Sequence, residues 1–297
     1  MTLALAFATT RMLKENNLVR VLRACETMGN ATVICSDKTG TLTQNKMTVV
    51  VGLLGANECF DQQPTESGNP STSPTILETL ELFPTIFKQL LVDSIALNST
   101  AFEEEQDGGR EFVGSKTEIA LLQLAKDYLH MTDLTEERAN AHIEHIFPFD
   151  SSRKAMGVVY RAGPTGYRLL VKGASEVILN ASTRTVTTGP SSADQIVTKP
   201  ISDGIRQAIL DTIDGYARKS LRTIGVVYTD LLDWPSSSIG DSEKGFPDFE
   251  SLLRDMTWVG AFGIHDPLRP EVSGAIKACH SAGVQVKMVT GQLFSLF

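Results

Sequence analysis

The opening of the chain carries apolar residues at helical spacing: Met12, Leu13, Leu18, Val19 and Leu22 share one stripe, and Gly29 follows as a stop. The pattern predicts a helix over 11–28. "ATVICS" (31–36) is a short apolar run with β-branched residues, the signature of a strand covered on both faces. The same style returns at the far end. "WVGAFGI" (258–264) predicts a strand, "PEVSGAIKACHSAG" (270–283) a helix opened by Pro and closed by Gly, and "VQVKMVTG" (284–291) another strand. Strand, helix and strand in that order imply a parallel α/β sheet.

Between the two ends the pattern changes. Helices are predicted at 75–98 and 115–130, the second with Ile119, Leu122, Ala125 and Leu129 on one face. The runs "KAMGVVYRAG" (154–163) and "YRLLVKGAS" (167–175) flank a turn holding Pro164 and Gly166, which predicts an antiparallel hairpin. A helix near 204–219 and a strand at 221–231 follow. Residues 61–75 and 232–248 are rich in Pro, Ser and Gly and read as loose loops. The expected organisation is an α/β domain interrupted after about residue 55 by an α+β domain and resumed near 256.

Composition narrows the function classes. The 297 residues are 42% hydrophobic and 21% charged, as in a water-soluble globular protein. A net charge of −8 offers no general attraction to nucleic acid or anionic lipid. No stretch reaches the roughly 20 apolar residues that cross a bilayer. The apolar start lacks the basic leader of a secretory signal. The four cysteines, at 25, 35, 59 and 279, form no CxxC pair, and Cys25 and Cys35 are expected to be reduced core thiols. His142 and His145 have no third metal ligand beside them.

The chemistry concentrates at "ICSDKTGTLTQN" (34–45), where Asp37 stands at the carboxyl end of an apolar strand. That position points into the crevice where α/β sheets bind ligands. The carboxylate there is a nucleophile, a metal ligand, a cap or a turn former. Attack on a phosphoryl group meets charge repulsion, relieved by Mg²⁺, a nearby ammonium and hydroxyl or amide donors. Lys38 supplies the cation, Thr39 and Thr41 the hydroxyls, and Gly40 a close approach of backbone N–H groups.

"SDKTGTLTQNKMTV" (36–49) resembles the phosphorylation signature of P-type ATPases, and the resemblance continues in family order through "GSKTEIALL", "FPFDSSRKAM", "VKGASE", "LRTIGVVY", "GIHDPLRPEV" and "AGVQVKMVTG". The region before Asp37 is similar to the fourth membrane helix and stalk of plasma-membrane or vacuolar calcium pumps. The resemblance implies an α/β, Rossmann-like (haloacid dehalogenase-like) phosphorylation domain, incomplete, with an inserted α+β nucleotide-binding domain. Its implied divisions are 1–28 for the membrane-helix end and stalk, 29–55 and 256–297 for the phosphorylation domain, and 56–255 for the nucleotide-binding domain. ATP is the implied substrate and Mg²⁺ the cofactor, held by Asp37 and the Thr39 carbonyl. Asp37 would be phosphorylated, with Lys38, Thr39 and Thr290 beside it. Phe149 would stack on adenine, Lys172 and Gly173 would lie along the base, and Arg222 would reach the phosphates. Glu118, Arg153 and Lys154 would line the same pocket, and Asp266, Arg269 and Gly291 would complete the nucleotide contacts. The parent would transport Ca²⁺ across the plasma or vacuolar membrane with this region facing the cytosol, whereas the chain alone would be soluble and cytoplasmic.

Read without the resemblance, several of these residues keep a plainer role. Glu118 follows Ser115 at capping-box spacing, Phe149 suits a core, and Arg222 suits a surface ion pair. The sequence also departs from the family. Gln292 stands where the family's next aspartate is expected, and the Lys and the GDGxND run beyond it are absent, as are the actuator and membrane domains. The expectations are a truncated phosphorylation domain that holds Mg²⁺ loosely, with an unpaired sheet edge and uncovered apolar surface. A non-catalytic nucleotide-binding module is the alternative. A free-standing phosphatase of the haloacid dehalogenase class is disfavoured, because the position two residues after Asp37 is Thr39 rather than a second aspartate.

Overall fold

The computed structural model of the chain describes residues 2–14, 16–62, 73–106, 109–163, 166–190, 193, 195–235 and 248–289. Thr290, Gly291 and Gln292 lie outside the described residues, as do Pro164 and most of the two segments read as loops. The chain divides into two compact units, one of residues 1–45 with 266–297 and one of residues 46–265.

The first unit begins with α1 (Thr2–Lys14) and α2 (Leu22–Gly29). These replace the single helix expected over 11–28. The break follows from Asn16, which takes a left-handed φ of 61° while Asn16 and Asn17 donate to the carbonyls of Leu13 and Met12. That is a helix-ending arrangement which asparagine tolerates. No helix among the described residues is long and apolar enough to cross a membrane. The next element is β1 (Val33–Asp37), a strand ending on the candidate nucleophile.

The second unit opens with β2 (Thr48–Leu54) and β3 (Glu58–Asp61). The helix expected over 75–98 is split into α3 (Ile76–Glu81) and α4 (Thr85–Ala96), because Pro84 cannot continue a helix and instead starts the second one. A hairpin of β4 (Phe102–Gln106) and β5 (Gly109–Val113) precedes α5 (Lys116–Tyr128) and α6 (Leu134–Asn140). Then come β6 (Ile143–Asp150), β7 (Ala155–Arg161) and β8 (Tyr167–Ala174). The expected hairpin is present, β7 pairing antiparallel with β8. The unit continues through α7 (Ser175–Asn180), β9 (Ser182–Val186), β10 (Thr198–Pro200), α8 (Asp203–Arg218), β11 (Arg222–Leu231), α9 (Phe249–Leu252) and β12 (Met256–His265).

These strands form one nine-stranded sheet in the order β10-β9-β12-β11-β8-β7-β6, with β2 on β12 and β3 on β2. One edge of β12 is shared end to end: Met256–Trp258 run parallel to β9, and Gly260–His265 antiparallel to β2. Successive residues of β8 feed opposite cores, since side chains alternate across a sheet. Leu170 joins Phe87, Leu122 and Phe262 under α3–α6, whereas Leu169 and Val171 join Ile213, Tyr216 and Trp258 under α7–α9. A sheet antiparallel at every pairing but β12 with β9, and covered by helices on both faces, is an α+β fold, as the pattern between residues 56 and 255 implied.

The chain returns to the first unit with α10 (Val272–Ser281) and β13 (Gln285–Val289), which pairs parallel to β1. The parallel pairing was expected, but its membership was not. The strand read at 258–264 belongs to the large sheet and not to this one, so the divisions expected near 55 and 256 move to Lys46 and His265. The physical reason is that β2 and β12 hydrogen-bond to each other along most of their length. A second correction concerns burial. β1 was expected to be covered on both faces and Cys35 to be a core thiol, yet four of its five residues are exposed, Cys35 among them. Among the described residues its sheet has two strands, and α10 buries no residue against them. Val33, Ile34, Met288 and Val289 stay 40 to 55% exposed, in line with the expected uncovered apolar surface. The side chain of Cys25 lies outside the described residues.

Candidate functional site

The second unit holds a cavity of about 510 Å³ between α5 and the strands β7, β8 and β11. That volume falls within the range of small-molecule sites. Its floor is β8. Lys172 follows Leu170 on the same face, but where Leu170 is fully buried in the core, Lys172, itself only 6% exposed, ends the apolar stripe with an ammonium group. A buried ammonium demands a partner. Glu118, from the first turn of α5, supplies it: Lys172 Nζ donates to Glu118 Oε1 at 2.9 Å.

Glu118 takes three further hydrogen bonds from Thr100, two from its backbone N–H at 3.2 and 3.3 Å and one from its hydroxyl at 2.9 Å. The capping-box reading of Ser115 and Glu118 is thereby corrected. Ser115 makes no side-chain cap, because the carboxylate turns toward Thr100 and Lys172 instead of back to the helix start. Burial pushes the Glu118 carboxyl up, but Lys172 and the Thr100 donors outweigh it and hold the group below the usual carboxylate value. Burial draws the Lys172 ammonium below its usual value despite the pull of Glu118.

Gly173 sits beside Lys172 for a steric reason. A Cβ there would stand 2.5 Å from the Lys154 carbonyl oxygen and 2.8 Å from Ala155 Cβ, so only glycine lets β7 and β8 close at this point. The Ala174 N–H donates to that same carbonyl at 2.9 Å, and Lys154 itself adopts a left-handed φ of 51°. Both Gly173 and Lys154 line the cavity.

Phe149 is not a core residue. Phe147, two positions earlier, packs on Phe249 with ring centroids 5.2 Å apart, and regular alternation would send both rings to one face. The register of β6 on β7 slips between Phe147 and Asp150, a bulge that re-aims the strand end. Phe149, 62% exposed, accordingly lines the cavity. Arg222 stands at the start of β11, also lining the cavity, and donates to Thr117 Oγ1 at 3.0 Å rather than to a surface carboxylate.

Arg153 departs from expectation. It does not line the cavity; its guanidinium lies 4.4 Å over the Phe249 ring and donates to the carbonyls of Pro148 and Ala155. The cause is that Arg153 and Lys154 are adjacent and point apart, so one tightens the turn while the other faces the cavity. The sequence reading also missed Thr100, which carries the carboxylate of Glu118. "LNSTAF" offers no periodicity or motif that would single out that threonine.

The first unit holds the second candidate group. Asp37 ends β1 with its side chain exposed, and its Oδ1 accepts from the Lys38 N–H at 2.7 Å. The loop then turns through Gly40, whose φ of 78° is left-handed. Thr43 is 1% exposed and is the buried joint of the loop. Its hydroxyl accepts from the Gly40 N–H at 3.1 Å and donates to Asp266 Oδ2 at 2.7 Å. Arg269 donates from Nη2 to the Gly40 carbonyl at 3.0 Å and from its N–H to the Leu42 carbonyl at 2.9 Å. Asp266 and Arg269 therefore brace the loop after Asp37 and are not among the residues lining the cavity. Thr39 is exposed beside them.

No group of three or more acidic, His or Cys residues able to hold a metal occurs among the described residues. The exposed Asp37 carboxylate and the Thr39 carbonyl are hard oxygen donors that suit Mg²⁺ only when phosphate oxygens and water complete its shell, which is that ion's usual habit.

The family described as "P-type ATPase, cytoplasmic domain N" matches residues 86–271. Calcium-transporting ATPase 2 of Cryptococcus neoformans is 44% identical over 306 residues, covering 98% of this chain and 22% of that protein. Calcium-transporting ATPase 2 of Schizosaccharomyces pombe is 44% identical over 309 residues, with 98% and 23% covered. Plasma membrane calcium-transporting ATPase 4 of Homo sapiens is 38% identical over 300 residues, with 98% and 22% covered. The chain thus spans between a fifth and a quarter of the length of these relatives.

Proposed function

The chain belongs to the P-type ATPases, and from that premise we propose that it is the nucleotide-binding and phosphoryl-accepting part of a calcium-transporting pump. ATP occupies the cavity on β8. The Phe149 ring stacks on the adenine, the Glu118–Lys172 pair meets the edge of the base at the floor, and Gly173 leaves room for it. Arg222 and Lys154 reach toward the phosphates. The observation that carries this reading is the cavity itself: an exposed aromatic ring and a buried ion pair line one space of suitable size, within the residues matched to domain N.

Phosphoryl transfer is assigned to Asp37. One carboxylate oxygen attacks the γ-phosphorus as the bond to the β–γ bridging oxygen breaks, and ADP leaves with that electron pair. Water later cleaves the acyl phosphate, returning the carboxylate and inorganic phosphate. Mg²⁺, held by Asp37 and the Thr39 carbonyl, would neutralise charge on the phosphate oxygens. Thr43, Asp266 and Arg269 keep the loop in shape, and Thr290 is proposed as a further donor. The small sheet with β1 is read as part of a haloacid dehalogenase-like phosphorylation domain. In the parent protein this cycle drives Ca²⁺ across the plasma or vacuolar membrane, with the present region on the cytosolic side.

A second reading is favoured by the exposure of Val33, Ile34, Met288 and Val289 around Asp37. On that reading the chain binds nucleotide without transferring phosphate. One experiment separates the two. Incubated with ATP labelled on its γ-phosphate, the chain should acquire acid-stable, hydroxylamine-labile label that disappears in Asp37→Asn. ATP binding with no label would leave only the nucleotide module, and no binding at all would remove both readings.

A further inference from the structure

Arg138 does not line the cavity, yet it is tied to it. From α6, this half-buried side chain donates through Nε to the Ala96 carbonyl at 3.0 Å and through Nη2 to the Ser99 carbonyl at 2.6 Å. Ala96 is the last residue of α4, where carbonyls lack partners within the helix. The planar guanidinium fork therefore grips both ends of a turn. The next residue after Ser99 is Thr100, whose N–H and hydroxyl both hold Glu118, and Glu118 holds Lys172. Three hydrogen bonds in series, Arg138 to Ser99, Thr100 to Glu118 and Glu118 to Lys172, lead from the Arg138 fork to the floor of the cavity. The charge acts through the same space: Arg138 stabilises the Glu118 carboxylate and disfavours the Lys172 ammonium.

We propose that Arg138 is a positioning residue for the nucleotide cavity, fixing the 96–100 turn so that Thr100 presents Glu118 to Lys172 in the geometry that receives the base. The proposal rests on the reading of the cavity as an ATP site. A helix cap alone would explain the bond to Ala96. It would not explain a second tooth on Ser99, one residue before the threonine that carries the carboxylate.

The test is a double-mutant cycle in the full chain, with ATP affinity read by calorimetry. Arg138→Gln is expected to weaken ATP by about tenfold, since small displacements of positioning groups have effects of that order. Arg138→Lys, which keeps the charge but cannot span both carbonyls, is expected to lie between Arg138→Gln and the parent. In the Glu118→Gln background the same Arg138→Gln change should alter affinity by less than about twofold, because the route runs through Glu118. An equal loss in both backgrounds, or no loss in either, overturns the proposal. Thr100→Val serves as the second variant should Arg138→Gln fail to fold, with the same expected collapse in the Glu118→Gln background. A nucleotide-free measurement keeps the inference separate from the ATP reading: in Arg138→Lys, which keeps the charge but loses the fork, the loosened Glu118 contact should make the nitrogen resonance of Lys172 Nζ titrate at lower pH than in the parent. An unmoved titration in Arg138→Lys sinks the positioning role even where ATP binds, and a downward move sustains it even where ATP does not.

Discussion

Lys172 Nζ lies 2.9 Å from Glu118 Oε1, and each side chain is 7% exposed. The pair joins the central strand β8 to the first turn of α5, so the wall and floor of the cavity share one electrostatic contact. Removing one partner of such a pair leaves an uncompensated buried charge, which costs about 3 to 5 kcal/mol. Glu118→Leu is therefore expected to destabilise the unit by about that amount, measured by urea unfolding followed at the buried Trp258. The double variant Glu118→Leu with Lys172→Met should recover most of the loss while binding ATP no better than the single. A single variant as stable as the parent would show that the pair is not closed in solution.

The same pair sets a pH dependence. Glu118 is held below its ordinary value of 4.5 in the fold, so the unfolded chain takes up its proton first as pH falls. The stability that Glu118 contributes is complete above that ordinary value and is lost as pH drops through the lower folded one. Lys172 is also held below its ordinary value of 10.5. Here the unfolded chain binds more protons on the alkaline side, so a burial penalty present at lower pH is relieved as pH rises through the folded value. Thermal midpoints across pH should show an acid limb that Glu118→Gln flattens, and a Glu118→Gln limb unchanged from the parent would contradict the assignment.

Phe149 and Arg153 separate binding from stability. Stacking on a base is worth about 1 to 3 kcal/mol by alanine substitution, so Phe149→Ala should weaken ATP by about 5- to 150-fold. The residue is 62% exposed, and the unfolding free energy should stay within about 0.5 kcal/mol. Arg153→Ala should do the opposite, lowering stability through the lost contact with Phe249 while leaving ATP affinity near the parent. Calorimetry and denaturant unfolding of both variants check this pair, and loss of ATP affinity in Arg153→Ala would restore it to the cavity.

The sequence made legible what depends on local pattern. Two strand-like runs about a turn at Pro164 and Gly166 announced the β7–β8 hairpin, and "DKTGT" announced a carboxylate at a strand end followed by a glycine that lets the backbone come close. What it hid depends on partners far along the chain. β12 has the same apolar run that a parallel α/β strand would have, because a strand buried on both faces reads alike in either sheet. Only its hydrogen bonds to β2, some 200 residues earlier, assign it. Glu118 sits at perfect capping-box spacing and yet serves Thr100 and Lys172, since a buried ammonium competes more strongly than a helix-start N–H. Phe149 was separable from Phe147 only through a bulge, which leaves no compositional trace.

The loop after Asp37 yields the last prediction. Gly40 has φ 78°, and the atom nearest an added Cβ is Asn45 Nδ2 at 3.7 Å, so space is ample and the obstacle is the backbone alone. An L side chain in that conformation costs about 1 to 2 kcal/mol. Gly40→Ala should relieve the strain by tilting the loop, moving the Gly40 carbonyl off Arg269 and the N–H off Thr43. Thr43→Val and Asp266→Ala break the same brace from its other side, at the 2.7 Å hydrogen bond that joins them. Because Asp266 reaches the loop through the Thr43 hydroxyl, which also accepts from the Gly40 N–H, the Thr43→Val, Asp266→Ala double variant should lose no more label on Asp37 than Thr43→Val alone. ATP affinity at the cavity, built from other residues, should be unchanged in all of them. Quantifying hydroxylamine-labile phosphate beside calorimetric affinity decides it: additive losses would mean that Thr43 and Asp266 serve Asp37 separately, and a parallel fall in ATP affinity would mean that the brace supports more than the loop.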